Sequence, residues 1–479
     1  MGTPIPLTPR RQVALLAAVM SGLLLAMLDQ TIVGTALPRM VDDLGGSSLY
    51  IWVVTAYLVP ATVSLPIYAR LSDRYGRRCL LLIGMVLFLV GSALAAAAQD
   101  MHQLIGFRAL QGLGAGALEG LSFILVADLF AGRRSAALQG ALAGLMAVAF
   151  IGGPMIGGVL TDHVGWRSTF LVNLPIGLVA LVVIARVLPA AVGRSEGRTR
   201  RIDFAGIALL TLGVGLLLVG LTERTHPDAA GALPGWWEWH TGGLIAAALL
   251  VAGLFVAVER RAAAPLIPLW LLTDRRTGAV MLAATTGAFG LFAGVLLLPR
   301  YFQTARDASA TDSGLLIYPL LIGLLVSVNV VGAVIAKRLE FRTPLLIGAG
   351  LAAAGAAGFA TFDAAMPDWQ SLVLMGLIGA GVGPTLSGLQ IAIGRIVAPA
   401  SIGAAMGTLM LLRQIGASVA LTAAATLYAG GLHGGAGLTE SAASTGHAMF
   451  VVTLVGTAIA ALALLSLPRG ASRLAAFSR

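Results

Sequence analysis

The sequence predicts an all-α membrane protein of many spans, and three observations predict it. Of the 479 residues, 58% are of hydrophobic types and only 11% are charged, and mean hydropathy is +0.92. Apolar runs of about 20 residues, long enough to cross a hydrocarbon core as helices, recur along the chain. The basic residues sit in short segments between those runs, which is the distribution of topology signals. A net charge of +10 therefore does not point to nucleic acid as a partner. One cysteine, Cys79, leaves no intramolecular disulfide and no thiolate metal site. The six histidines show no ligand spacing, so neither a metal nor a cofactor is expected, nor a catalytic residue.

The first apolar run, Val13 to Leu37, is 25 residues, about 37 Å as a helix and enough to cross a core of roughly 30 Å with some tilt. It follows a basic pair, as a signal peptide would, but it is too long for an ordinary signal h-region and carries Asp29. It reads as a retained first span. Further spans are expected at 49–69, 79–98, 104–127, 136–160, 168–188, 204–222, 242–258, 277–298, 313–336, 344–362, 369–391, 403–427 and 446–467, fourteen in all.

With the N-terminus in the cytoplasm, inside segments and helix ends hold 24 of the 31 Lys and Arg, outside segments hold five, and Arg108 and Arg413 fall within spans. That bias puts both termini in the cytoplasm and favours an even number of spans. The connections are too short for a fused ATPase domain, and no GxxxxGK[ST] loop is present. The Gly-rich stretch at 111–116 lies inside an apolar span, so it is not a dinucleotide fingerprint.

An internal repeat is visible. Gly112, Gly114 and Gly116 in the fourth span echo Gly379, Gly381 and Gly383 in the twelfth, and Leu37-Pro38-Arg39 echoes Leu298-Pro299-Arg300. Both echoes are eight spans apart. They predict a six-helix bundle over 1–190, cytoplasmic linkers plus two inserted spans over 191–275, and a second six-helix bundle over 276–479. In this register Asp29 falls opposite Gly290, Arg108 opposite Met375 and Glu119 opposite Leu386, so the charge is concentrated in the first half.

Ionisable groups inside spans are the candidate functional residues, because they are expensive there. Asp29 reads as a proton carrier, a cation contact or half of a fixed pair; burial raises a carboxylate's proton affinity unless a cation compensates it. Arg108 and Glu119 share the fourth span, 11 residues apart; that is about 20° around the helix and about 16 Å along it. They line one face without pairing. Arg108 can compensate an acid from another helix, with Asp29 a possible partner. Glu119 looks more isolated, and either titrates, contacts a cationic substrate or bonds a neighbouring helix. Arg413 stands in the thirteenth span, against an acid, a loop or the cavity.

Between the second and third spans, ARLSDRYGRR (Ala69 to Arg78) places Asp73 beside a basic cluster, with Gly76 permitting the turn. Asp73 can accept bonds from a helix N-terminus or an Arg and so hold one gate state; Arg77 and Arg78 also read as inside anchors. The fifth span carries Gly140, Gly144, Gly153, Pro154, Gly157 and Gly158, small-residue spacing with a helix-perturbing proline. The Trp cluster of PGWWEWH at 234–240 fits interfacial anchoring.

Four of these stretches, in order, resemble the major facilitator superfamily, and within it the fourteen-helix drug:proton antiporter family. Asp29, Gln30, Thr31 and Pro38 look like its first-helix acidic motif. Asp73, Arg74, Gly76, Arg77 and Arg78 resemble the loop motif after helix 2, with Ala69 where a glycine is usual. Arg108, Gln111, Gly112 and Gly116 resemble the fourth-helix motif linked to proton coupling, and Gly153, Pro154, Gly157 and Gly158 the fifth-helix antiporter motif. The stretch GWRSTFLVNLPIG at 165–177 resembles the family's entry to helix 6.

The resemblance implies a major facilitator fold with 14 transmembrane helices, in the cell inner (cytoplasmic) membrane, working as a monomer. It implies export of amphipathic or cationic small molecules by alternating access, driven by inward proton flow, with Asp29 and Arg108 in proton coupling. Partners are then protons, hydrophobic or cationic small molecules and the lipid bilayer. The competing readings are a lipid or siderophore exporter of the same architecture, a nutrient symporter, and a sensor or scaffold that would leave the buried charges without a purpose.

Overall fold

The computed structural model describes residues 9–46, 49–129, 133–189, 203–223, 235, 237–262, 265–338, 340–397, 401–431 and 437–467, without every side chain within the helices. All regular structure among them is helical. The chain divides into two compact units, Met1–Ile207 and Ala208–Arg479.

The first unit holds α1 (Pro9–Leu44), α2 (Tyr50–Tyr75), α3 (Arg77–Ala96), α4 (Met101–Leu129), α5 (Arg133–His163), the single turn α6 (Ser168–Leu171) and α7 (Asn173–Val187). The first helix runs through Pro38 to Leu44, past the apolar limit at Leu37, because its polar last turns have partners of their own. Gly76 alone joins α2 to α3, at φ 89° and ψ 147°, a backbone state that only glycine adopts without strain. The sixth expected span is broken at Val172, between α6 and α7. Here α4 packs between α2 and α3, and α1 packs on α5 and α7.

The second unit takes nearly all of α8 (Phe204–Glu223), then a π turn (Trp239–Gly243) that leads into α9 (Leu244–Glu259). After the turn α10 (Trp270–Thr273) come α11 (Arg275–Thr286) and α12 (Phe289–Ala305), which divide the ninth expected span at residues 287–288. The tenth is α13 (Ala310–Leu316) and α14 (Tyr318–Arg338), bent by 40° at the break. The rest are α15 (Arg342–Phe359), α16 (Asp368–Ile396), α17 (Ile402–Gly431) and α18 (Leu438–Leu465). Among the described residues nine helices are long and apolar enough to cross a membrane, or ten with the bent pair as one span.

The two units repeat one packing register. In the first, a Cβ on Gly112 would lie 2.2 Å from the Tyr57 carbonyl oxygen, on Gly114 2.3 Å from the Phe88 amide nitrogen, and on Gly116 2.1 Å from Ser64 Oγ. In the second, Gly379 meets the Leu320 carbonyl at 1.8 Å, Gly381 the Ala352 amide at 2.3 Å, and Gly383 Ser327 Oγ at 1.9 Å. Each triplet brings one helix backbone against two others, as small residues do in membranes, where dispersion rather than water expulsion holds helices together. Accordingly α16 packs between α14 and α15, while α11 and α12 pack on α17 and α18.

Candidate functional site

Asp29 and Arg108 form a salt bridge, each only 1% exposed. Two of the three expensive charges of the first half thus compensate each other between α1 and α4. Arg108 Nη1 donates both to Asp29 Oδ2 and, at 2.8 Å, to Gln111 Oε1. Its Nε faces the Val53 carbonyl at 3.4 Å. The guanidinium carbon lies 4.2 Å from the centre of the Tyr57 ring and 5.8 Å from that of Phe170, close enough for both π faces to stabilise the cation. Tyr57 is itself fixed, donating to the Ala26 carbonyl at 2.9 Å.

The other carboxylate oxygen is served by neutral donors. Gln111 Nε2 reaches Asp29 Oδ1 at 2.8 Å and Asn173 Nδ2 reaches it at 3.2 Å. Both amides also donate to Ser92 Oγ, at 3.3 Å and 2.9 Å, and the Ser92 hydroxyl donates to the Phe170 carbonyl at 2.9 Å. One acid therefore ties together α1, α3, α4 and α7. A buried ion pair is supportable only when its remaining lone pairs are met in this way.

One helical turn of α1 also meets α5. Thr31 Oγ1 lies 3.0 Å from the Leu28 carbonyl and 3.2 Å from the Ala149 carbonyl across the interface. A Cβ on Gly153 would fall 1.8 Å from Thr31 Oγ1, and one on Gly157 2.5 Å from Thr35 Oγ1. Pro154 and Gly158 are buried beside them within α5. The glycines at 153 and 157 are thus what lets α5 lie against the helix that carries the acid; at Gly140 and Gly144 the side-chain positions lie outside the described residues.

The structure treats the other sequence candidates differently. Glu119 is 8% exposed and, contrary to its isolated look in the sequence, accepts a bond of 2.8 Å from Gln30 Nε2. It is joined through α1 to the residue next to Asp29. Arg413, in α17, has Nη2 2.7 Å from Met410 Sδ and is 9% exposed. At the α2–α3 corner, Arg77 is buried and Arg78 donates to the Ala185 carbonyl of α7. The side chains of Asp73 and Arg74 lie outside the described residues. At the far end of α1, Asp43 accepts from Trp166 Nε1 at 2.9 Å and Arg167 Nη1 at 2.8 Å, and Arg167 Nη2 also donates to the Ala98 carbonyl.

Ser92, Asn173 and Tyr57 escaped the sequence reading. Asn173 had a signal, a lone amide in an apolar stretch, while Ser92 and Tyr57 had none that separates them from ordinary membrane-helix residues. Two surface grooves, one along α11 and one between α1 and α7, include neither Asp29, Arg108 nor Glu119. No group of three or more His, Cys, Asp or Glu side chains able to hold a metal occurs among the described residues.

A family model described as Major Facilitator Superfamily matches residues 19–421. The chain is 32% identical over 408 residues to the multidrug transporter protein MdtP of Bacillus subtilis (strain 168), covering 84% of this chain and 74% of that one. It is 31% identical over 410 residues to multidrug resistance protein 3 of the same organism, covering 84% and 76%. Its fold is similar to the crystal structure of a bacterial homologue of the human lysosomal transporter Spinster, inward-facing and unoccupied. That similarity has a TM-score of 0.64 at 14% identity and covers 96% of this chain and 98% of that one.

Proposed function

The chain belongs to the Major Facilitator Superfamily, and from that membership we propose that it exports amphipathic or cationic small molecules in exchange for protons. Membership makes it a multi-pass membrane transporter rather than an enzyme. Efflux of several drugs is the reading suggested by relatives named for multidrug transport and resistance. The observation that carries the proton is the buried Asp29–Arg108 pair, a titratable acid held dry inside a helical bundle with its counter-ion.

In the proposed cycle Asp29 takes a proton from outside and gives it up inside. Protonation cancels the negative half of the pair and leaves the Arg108 charge buried without it, which is costly in a dry core. A conformation that gives Arg108 new partners is then favoured, so proton occupancy and access are linked. The alternation is attributed to the duplication of the six-helix halves. Glu119 and Arg413 are assigned to substrate contact or a secondary proton site, and Asp73, Gly76, Arg77 and Arg78 to the cytoplasmic gate.

The proposed topology is the fourteen-helix form in the cytoplasmic membrane, acting as a monomer. Helices α2, α4, α5 and α15 add four spans to the apolar ten, α8 and α9 form an inserted pair between two six-helix bundles, and the Arg bias puts both termini inside. The test uses proteoliposomes with matched protein content, recording efflux of a cationic dye together with internal pH. Asp29→Asn should bind substrate yet lose uphill transport and proton movement. Wild-type uphill flux with the same proton movement would make Asp29 structural and pass the coupling role to Glu119.

A further inference from the structure

As arranged here, the polar cluster around Asp29 suits the charged acid. Arg108 is a donor only, and always carries its charge. Gln111 turns its amide nitrogen to Asp29 because its oxygen is held by Arg108. Ser92 has a single hydroxyl proton, which goes to the Phe170 carbonyl, so it can only accept from Gln111 and Asn173. That arrangement turns the Asn173 amide nitrogen toward both Ser92 and Asp29. The cost is visible at the other end of the same side chain. Asn173 is 1% exposed, and its Oδ1 is buried without a hydrogen-bond partner.

A protonated Asp29 needs an acceptor for its new O–H. The oxygen of Gln111 is occupied, Ser92 is committed, and the unused acceptor in the cluster is Asn173 Oδ1. We propose that Asn173 is the positioning residue that registers the protonation state of Asp29, by turning its amide over. This rests on the reading of Asp29 as the proton carrier. The only covalent change is one O–H bond on the carboxyl, made with a proton from water; nothing is oxidised or reduced.

After the turn, Asn173 Oδ1 faces both Asp29 and Ser92. It accepts the carboxyl O–H, and the Ser92 hydroxyl swings from the Phe170 carbonyl to the same oxygen. The α3–α6 contact loses the Ser92–Phe170 hydrogen bond beside the helix break at Val172, and the inserted proton is felt one helix away. Among the described residues the titratable groups at Asp29 are Arg108 from α4 and, beside its guanidinium, Tyr57 from α2; Glu119, also from α4, bonds the neighbouring Gln30 instead. From α3 and α7 come the neutral Ser92 and Asn173, and α5 meets this stretch of α1 with Ala149 and Gly153, which do not titrate.

Infrared difference spectroscopy of the purified full chain in lipid nanodiscs, titrated with pH, tests this. The C=O band of a protonated carboxyl is assigned to Asp29 by its loss in Asp29→Asn. Asn173→Leu keeps the volume and removes both ends of the amide. Its Asp29 band should move to higher frequency, as for a carboxyl with no acceptor. A charge-assisted bond is about twice as strong as a neutral one, so losing the donor outweighs losing the acceptor. The pH midpoint should rise by about one unit, tenfold in proton concentration.

Ser92→Ala frees the amide without removing it, so the midpoint should rise while the band keeps its wild-type frequency. Unchanged frequency in folded Asn173→Leu, whatever its midpoint, overturns the proposal and leaves Asp29 as carrier. If that variant does not fold, an unchanged midpoint in Ser92→Ala overturns it instead. A spectrum with no Asp29 band at any pH removes the carrier reading, and this proposal with it.

Discussion

Adding one methyl group at Gly153 should separate the two helices on which the acid depends. The Cβ of Gly153→Ala would lie 1.8 Å from Thr31 Oγ1 and 2.6 Å from Thr31 Cβ, well inside the roughly 3.5 Å at which such atoms attract. Rotating Thr31 moves the hydroxyl but leaves its Cβ in place, so α1 and α5 must part by about 1 Å. Overpacking of this kind costs about 1–3 kcal/mol. The Thr31 bond to Ala149 is lost as well, about 0.6 kcal/mol for an interhelical bond in a membrane protein. The sum is about 2–4 kcal/mol.

The companion substitution isolates the contact. In Gly153→Ala/Thr31→Gly the new methyl meets nothing nearer than the Ile32 amide at 3.4 Å, an ordinary distance. Thermal unfolding of the purified protein should show a large loss for Gly153→Ala and partial recovery in the double variant, which still lacks the Thr31 bond to Ala149. Because Thr31 stands two residues after Asp29, transport should fall further than stability does. Equal midpoints for wild type and Gly153→Ala, or no recovery in the double variant, would refute the packing argument.

Two further predictions concern charge. Arg108→Leu should destabilise the protein by about 3–5 kcal/mol by leaving a buried carboxylate unpaired, and adding Asp29→Leu should return much of that; equal unfolding midpoints for the single and double variants would sink this. Asp274 caps α11, accepting from the Arg276 and Thr277 amides at 3.1 Å and 3.0 Å. The Thr277 amide bond, ahead of opposing burial, holds its carboxyl below the ordinary range. A lowered folded value stabilises above the unfolded one and is lost as pH falls through it. Asp274→Ala should therefore cost about 1 kcal/mol at neutral pH and show a shallower loss of stability below about pH 4. An acid limb identical to wild type would count against the cap.

Charge in an apolar run is the plainest signal a membrane sequence offers, so Asp29, Arg108, Glu119 and Arg413 stood out. The pairing of Arg108 with Asp29 was legible as one possibility, but the neutral partners were not, because a bond such as Gln30 to Glu119 joins residues 89 apart in sequence and leaves no local pattern. Ser92 is one of several small polar residues that membrane helices tolerate while bonding their own backbone. Asn173 was visible as part of a stretch, but its importance lies in lone pairs that only the three-dimensional cluster exposes. The broken spans were hidden for another reason. Residues 287–288, 317 and 172 interrupt helices without interrupting apolarity, so hydropathy runs through them. The long α1 was underestimated because its final turn is polar, and Asp43 is held there by Trp166 and Arg167. The glycine triplets were legible because close backbone approach leaves few alternatives to glycine.

In the register of the internal repeat, the second unit has Gly290, Met375 and Ile378 where the first has Asp29, Arg108 and Gln111. A Cβ on Gly290 would touch Thr453 and Ile378, and Met375 is wholly buried. Under the proposed cycle the consequence is electrical. With Asp29 as the one carboxylate that exchanges a proton, and Glu119 confined to substrate contact, trading that proton for a univalent cation moves no net charge, and the membrane voltage neither helps nor hinders. The same proton traded for a neutral molecule carries one charge inward, and 100 mV then adds about 2.3 kcal/mol, roughly fifty-fold in the gradient that can be sustained. Cationic and neutral substrates should therefore differ in their response to a valinomycin-imposed potential, even where they share one site.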